Sequence, residues 1–403
     1  MRDAVNAPDL LRPRGSNQVG MRQFNERVVL QALRLHGSLP KADLARLTGL
    51  SAQTIGLITA RLEEDQLIVK QSRVRGRIGQ PSVPLALNPD GAFAIGIKIG
   101  RRGAEWLLID FAARVREQHA LSYAFPDAAE LLPAIAQHIQ RLRDGLGPLA
   151  GRIVGVGLAA PFQLGGWHRT LGLSQAQSDR WNQMDLAAEV QARTDMPVSA
   201  ARDTVAACVA ELVNGRGHDL KSFLYIFVDT FVGGGLVINS HLHTGVHGNA
   251  GALASLPMQP PGAGESGAQL IAAASLWELE QRLRIEGLDA QAAYDERALQ
   301  APFAAVTLAW SAGASQALAH AIASATAVLD LGHVVMDGSM SRDLLQTLLA
   351  QTRAALDRCN WEGLWRPQLH GGRAGAQACA LGGAMLPLHA NFAPDHGVFL
   401  KAA

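Results

Sequence analysis

Between residues 22 and 64 two glycine-bearing turns cut the chain into three short helical blocks, and no other feature restricts the first eighty residues as much. Over residues 22–35 the apolar side chains Phe24, Val28, Val29, Leu30, Leu33 and Leu35 recur at steps of three and four, the period of an amphipathic helix, and Gly37 ends it. A second helix fits residues 41–47 with Leu44 and Leu47 turned inward. Thr48-Gly49-Leu50 then makes a turn, and Ser51 caps a third helix that runs to Glu64. The third helix keeps Ile55, Ile58 and Leu62 on one face and leaves Ser51, Gln53, Thr54 and Gly56 on the other, near its N-terminus. This is the arrangement of a helix whose N-terminal end reaches base edges in a DNA groove. Gln53 is the best base reader, because a side-chain amide pairs bidentately with adenine.

After the β-like run Leu67-Ile68-Val69, a cation stands at every second position of Arg73-Val74-Arg75-Gly76-Arg77. Alternate side chains of an extended segment point to one side, so Arg73, Arg75 and Arg77 form a basic edge suited to phosphates or a minor groove. Lys41 and Arg46 stand where a helix-turn-helix meets phosphates. The charge distribution agrees. Residues 1–80 hold 13 Lys+Arg against 7 Asp+Glu, and the other 323 hold 23 against 28, so a head of +6 precedes a body of −5. Affinity for nucleic acid comes from neutralised phosphates, so the head is the part expected to meet double-stranded DNA.

A chain of 403 residues predicts two or three domains, and 48% apolar against 18% charged residues excludes extensive disorder. There is no run of eighteen uncharged apolar residues, and Arg2, Asp3, Asp9, Arg12 and Arg14 break up the start, so neither a membrane span nor a signal peptide is expected. A cytoplasmic location follows as the expectation. Cys208, Cys359 and Cys379 lie too far apart for a disulfide framework or a thiolate zinc site and read as buried, reduced thiols. Past residues 81–84, residues 92–100 read as a buried strand, with a hairpin partner at 105–110 across Arg101-Arg102-Gly103. Further strands fit 153–158, 222–228, 236–238 and 334–336, separated by Ala/Leu-rich helices such as 131–142 and 314–329. Strands alternating with helices mean an α/β body. The expected division is a tail (1–20), a winged helix-turn-helix (21–80), a linker (81–90) and a body (91–403).

The segment Leu44-Ala45-Arg46-Leu47-Thr48-Gly49-Leu50-Ser51, the basic edge after it, the loop Gly245-Val246-His247-Gly248-Asn249-Ala250-Gly251, and Asp203 opening a small-residue helix to Glu211 together resemble the ROK family (repressors, open reading frames and sugar kinases). The likeness runs from about Phe24 onward, and its repressors of xylose and N-acetylglucosamine operons are the nearest type. It implies a winged helix-turn-helix followed by a two-lobed, actin-like ATPase fold, with lobes near 91–200 plus 380–403 and near 201–379. It further implies a homodimer or homotetramer, an operator in double-stranded DNA, and a sugar-like effector in the cleft, where hinge closure would alter the spacing of two heads. Asp203 then stands at the family's catalytic aspartate, and Arg202, Asp203, His247 and Asn249 are the candidate ligand contacts.

Several family features are altered. Lys98-Ile99-Gly100-Arg101-Arg102 replaces the phosphate-binding Asp-x-Gly-Gly-Thr, Asp229-Thr230-Phe231 replaces Gly-Thr-Gly, leaving only Gly233-Gly234-Gly235 downstream, and Asp337-Gly338 replaces a glycine pair on the adenosine side. Phosphoryl transfer depends on phosphate-cradling amides and a positioned metal, so no kinase activity, cofactor or catalytic residue is expected. Ala252-Leu253-Ala254-Ser255 replaces the sugar-binding Glu-x-Gly-His, and residues 256–269 lack the cysteines of the family's zinc segment, so no metal is expected. Arg202 replaces an asparagine, and two roles are open to it: pairing with an anionic ligand, or neutralising Asp203 in an abandoned pocket. His241, His243 and His247 read as polar residues of a hairpin rather than a metal site. The tryptophans at 181, 277, 310, 361 and 365 read as core or interface anchors. The reading as a whole is a sequence-specific DNA-binding regulator, with repression as the expected role; its rivals are a residual sugar kinase and a body that binds a protein partner.

Overall fold

Helix α1 (Gln18–His36) stops where Gly37 takes a φ of +78°, and α2 (Lys41–Thr48) stops at Gly49 with a φ of +68°, left-handed positions that glycine adopts without strain. Helix α3 (Ala52–Glu64) starts at Ser51, whose Oγ accepts a hydrogen bond from the Thr54 amide at 3.1 Å. These helices belong to the first of two compact units, which divide after Ala86. The computed structural model describes residues 18–72, 83–166, 168–259 and 268–394. Arg73, Arg75 and Arg77 lie outside the described residues.

Val29, Leu30, Leu33, Leu44, Ile55, Ile58 and Leu62 are buried in the first unit. Phe24 and Leu47, both placed inward by periodicity, are instead 42% exposed. Helix α2 has two turns and buries a single residue, Leu44; the more covered partner one turn on is Thr48, whose hydroxyl donates to the Leu44 carbonyl at 2.7 Å. Strand β1 (Ile68–Lys70) pairs with β2 (Leu85–Leu87), and Leu85 also exchanges two backbone hydrogen bonds with Leu39. The stretch 81–90 is therefore not all linker. Leu85 is fully buried, and that apolar burial ties its segment into the first unit's small sheet.

The second unit repeats one plan twice. Its first sheet has β3 (Phe93–Ile99), β4 (Gly103–Asp110), β5 (Val115–Ser122), β6 (Ile153–Ala160) and β7 (Val198–Arg202) in the order β5-β4-β3-β6-β7. Helices α4 (Ala128–Gly145), α5 (His168–Leu171), α6 (Gln175–Gln183) and α7 (Leu186–Gln191) fall between its strands, and α8 (Asp203–Asn214) follows β7. The second sheet has β8 (Phe223–Val228), β9 (Val232–Ile238), β10 (His241–His243), β11 (His333–Gly338) and β12 (Gln368–Gly371) in the order β10-β9-β8-β11-β12. Its helices are α9 (Ile271–Ala274), α10 (Leu276–Ile285), α11 (Ala304–Leu329) and α12 (Arg342–Leu356), and α13 (Ala378–Phe392) closes the described chain. In both sheets the first three strands form an antiparallel meander and the last two run parallel to the first.

Two helices cross between the sheets with almost no side chain at the contact. A Cβ on Gly382 of α13 would lie 1.7 Å from the Ala206 carbonyl oxygen of α8, and one on Gly157 of β6 would lie 1.7 Å from the Gly383 carbonyl oxygen. On the other side, a Cβ on Gly235 of β9 would lie 2.7 Å from the Cys208 Cβ of α8. The Gly233-Gly234-Gly235 run thus lies within a strand, where it lets α8 approach, and is not a phosphate loop. Strands β5, β7 and β12 have no clear sequence signature: β5 is an edge strand with mostly exposed residues, so burial does not impose alternation on it. Among the described residues, no helix is long and apolar enough to cross a membrane.

Candidate functional site

On the first unit, the N-terminal end of α3 presents Ser51 and Gln53 exposed and Thr54 and Gly56 half-exposed, with Lys41 and Arg46 exposed on α2. Ser51 and Thr54 also serve the helix, since their hydroxyls bond each other at 2.8 Å beside the cap. Arg46 is paired with Asp43 at 3.0 Å. A Cβ on Gly56 would meet nothing within 4 Å, so the fold itself does not require glycine there.

On the second unit, the equivalent hairpin turns of the two sheets face each other. Lys98, near the end of β3, donates to Asp229 in the β8–β9 turn at 2.6 Å, and the two side chains are only 14% and 15% exposed. Burial opposes both charges, but each offsets it for the other: Asp229 holds the ammonium above its ordinary range, and Lys98 holds the carboxylate below its own. The Arg101 guanidinium lies 4.4 Å from the centre of the Phe231 ring. Arg102 reaches Glu280 of α10 through Nη2 at 2.8 Å and stacks over Trp277 at 4.6 Å. The Glu280 carboxylate is nearly buried and also accepts from Tyr294 and Arg284. Helix α10 is itself hooked to the opposing turn, because its Leu276 and Trp277 amides donate to the Asp229 and Thr230 carbonyls.

Beside these contacts lies a cavity of about 460 Å³, within the ordinary size of small-molecule sites. Arg101, Phe162, Gln163, Arg202, Asp203 and Asn249 contribute to its wall. Asp203 opens α8 directly after β7 and accepts from the Thr204 amide at 2.7 Å. Burial raises its pKa, and Arg101 opposes that rise. Arg202 donates to Asn249 Oδ1 at 2.6 Å and to the Ala250 carbonyl at 2.7 Å, which holds the 245–251 loop against the end of β7. Arg101 donates through Nη2 to the Gln163 carbonyl at 2.9 Å.

Of the four ligand contacts read from the sequence, the structure brings Arg202, Asp203 and Asn249 to one cavity. His247 is exposed and does not line it, and His241 and His243 are exposed on β10. Sequence reasoning missed Arg101, Phe162 and Gln163 as wall residues. The signal for Arg101 was its place beside Arg102 in a tight hairpin at the end of a buried strand; nothing local marks the other two. Asp337 is fully buried and accepts from the Gly338 and Gly375 amides and from Arg342. Trp181 and Trp310 are buried, whereas Trp365 is 85% exposed and no core anchor. Cys208 and Cys379 are buried free thiols, and Cys359 is half-buried.

The model of the family described as "ROK family" matches residues 94–389. The xylose repressor of Bacillus spizizenii is 22% identical over 242 residues, 59% of this chain and 61% of that protein. The DNA-binding transcriptional dual regulator NagC of Escherichia coli K12 is 25% identical over 262 residues, 62% of each chain. The chain thus spans about three fifths of the length of these curated relatives. Among solved structures, a ROK family transcriptional regulator described as a homolog of E. coli MLC superposes with a TM-score of 0.67 at 20% identity, over 93% of this chain and 98% of that one. A ROK glucokinase from Streptomyces griseus, in complex with glucose and AMPPNP, gives 0.60 at 20% identity, over 73% of this chain and 99% of that one. The duplicated mixed sheets are therefore the two lobes of an actin-like, sugar-kinase-type fold, and the chain belongs to the ROK family.

Proposed function

We propose that this chain is a sequence-specific DNA-binding transcriptional regulator, acting as a repressor in the cytoplasm, with residues 21–80 as its winged helix-turn-helix. Its body assembles the protein into a homodimer or homotetramer and takes a sugar or sugar acid between its lobes. The observation that carries the DNA-binding part is the N-terminal end of α3, where Gln53 is exposed and a Cβ on the half-exposed Gly56 would meet nothing within 4 Å. The named relatives, a xylose repressor and NagC, support the regulatory part. In the cleft, Asp203 and Asn249 supply groups that hydrogen-bond hydroxyls.

A kinase reading is disfavoured by the hairpin turns. The backbone that would have to cradle nucleotide phosphates is bridged by the Lys98–Asp229 pair and by Arg101 on Phe231. An assay for ADP release with a panel of hexoses is expected to give no turnover.

The test of DNA reading is selection of bound sequences from a random duplex pool, followed by titration of the selected site. Gln53→Ala is expected to relax preference at one base position, a loss of about 1–3 kcal/mol of discrimination there. Arg77→Ala is expected to weaken binding to all sequences alike and to lower the salt slope by about 1. Unchanged affinity and preference in both variants would sink the assignment.

A further inference from the structure

Among the described residues ten arginines of the body pair with a carboxylate, and the two that line the cleft are not among them. Arg102, Arg143, Arg193, Arg282, Arg297 and Arg373 each have a carboxylate oxygen within 3.1 Å. Among the described residues, neither Arg101 nor Arg202 has a carboxylate oxygen within 4.0 Å. Arg101 is nevertheless only 8% exposed, and its Nε is buried with no hydrogen-bond partner; the Nε of Arg202 is in the same condition. A buried cation without a paired anion is costly, and an orphaned buried N–H adds to that cost. Of the carboxylates in the wall, Asp229 bonds Lys98 at 2.6 Å. The two guanidiniums feel Asp203, and Arg101 also feels Asp229, but neither has a carboxylate in direct contact.

We propose that the ligand of this cleft is an anion-bearing polyol, a sugar acid or sugar phosphate, whose anionic group is held by Arg101 and Arg202 while a hydroxyl meets Asp203. The proposal rests on the effector reading given above and narrows its chemistry. A guanidinium fork matches a carboxylate or a phosphate in the same bidentate way, so the two share one recognition chemistry. Both arginines are already positioned for it: Gln163 and the Phe231 ring hold Arg101, and Asn249 and Ala250 hold Arg202. Little side-chain ordering would be needed on binding. Burial raises the pKa of Asp203 and Arg101 opposes that rise; in either protonation state the carboxyl group can hydrogen-bond a hydroxyl.

The experiment is isothermal calorimetry and thermal shift on the full chain with matched probes: glucose, gluconate, glucuronate and glucose 6-phosphate, with inorganic phosphate and acetate alone. The expected result is that an acid or a phosphate binds at least about tenfold tighter than neutral glucose, in line with charge-assisted hydrogen bonds. The carboxylate and phosphate arms then say which anion the cleft takes. Arg101→Gln and Arg202→Gln should each remove that preference, with Arg101→Lys retaining part of it; far-ultraviolet dichroism and the melting temperature of each variant separate a folding failure from a lost contact. If glucose bound as tightly as the charged probes, the anion assignment would be overturned while the effector reading stood. If inorganic phosphate alone bound as tightly as glucose 6-phosphate, the polyol part would be wrong. If no probe bound, the anion assignment and the effector reading would both fall.

Discussion

Lys98 and Asp229 join the β3 end to the β8–β9 turn through a short, poorly exposed pair. Removing one partner leaves the other charged and buried. Asp229→Asn is therefore expected to destabilise the body by about 3–5 kcal/mol, and Lys98→Met with Asp229→Leu by much less. The pH dependence follows from the direction of each shift. The Asp229 carboxyl is depressed in the folded chain, so its contribution is present above the unfolded value of about 3.9 and is lost as pH falls through its folded value. Lys98 is raised, so its contribution is present below the unfolded value of about 10.4 and is lost as pH climbs through its folded value. Urea unfolding at a series of pH values should show the pair's contribution flat between these limits, with a weaker acid limb in Asp229→Asn.

On the DNA-binding reading proposed above, helix α3 has to satisfy its own fold and a partner at once. Gly56→Ala puts a methyl group into open space and replaces the poorest non-proline helix former with the best, so the first unit should gain up to about 1 kcal/mol. If the helix lies in a groove, the same substitution should weaken operator binding. Stability rising while DNA affinity falls would be hard to explain any other way, and affinity unchanged would move the contact face elsewhere. Helix α13 is the opposite case. Gly382→Ala drives a methyl group into the Ala206 carbonyl of α8, where backbone rather than a flexible side chain must yield, so a loss of about 3 kcal/mol or more is expected in thermal unfolding. The start of α3 at Ser51 and the stops at Gly37 and Gly49 were legible from local residues, because caps and left-handed glycines act within a few positions. The exposure of Leu47 was not, since a two-turn helix offers too few residues for its period to show which side is covered.

Because the chain divides after Ala86 into two compact units, recognition of DNA and of a small ligand should be separable. A fragment of residues 87–403 is expected to keep a cooperative thermal transition and the ligand response of the full chain, while losing measurable affinity for the selected duplex. Loss of ligand response in a well-folded fragment would mean that the first 86 residues contribute to the cleft. The body's class was legible in its buried strands and Ala/Leu-rich helices, and the family in the Asp203 and Gly245–Gly251 neighbourhoods. The matching strand orders of the two sheets were not, because the duplication lies in topology and register while the sequences of the two halves differ.

What this sequence determined by itself was set locally along the chain: the helix ends and a basic head on an acidic body. What only the tertiary structure decided were relations across long sequence separations. Lys98 and Asp229 are 131 residues apart, and Arg102 and Glu280 are 178 apart. Whether Arg202 neutralises Asp203 was open in the sequence; in the fold its hydrogen bonds go to Asn249 and Ala250 instead. Adjacent residues can point to different partners when one ends a strand and the next opens a helix, and only the packed chain settles which groups are left for a ligand.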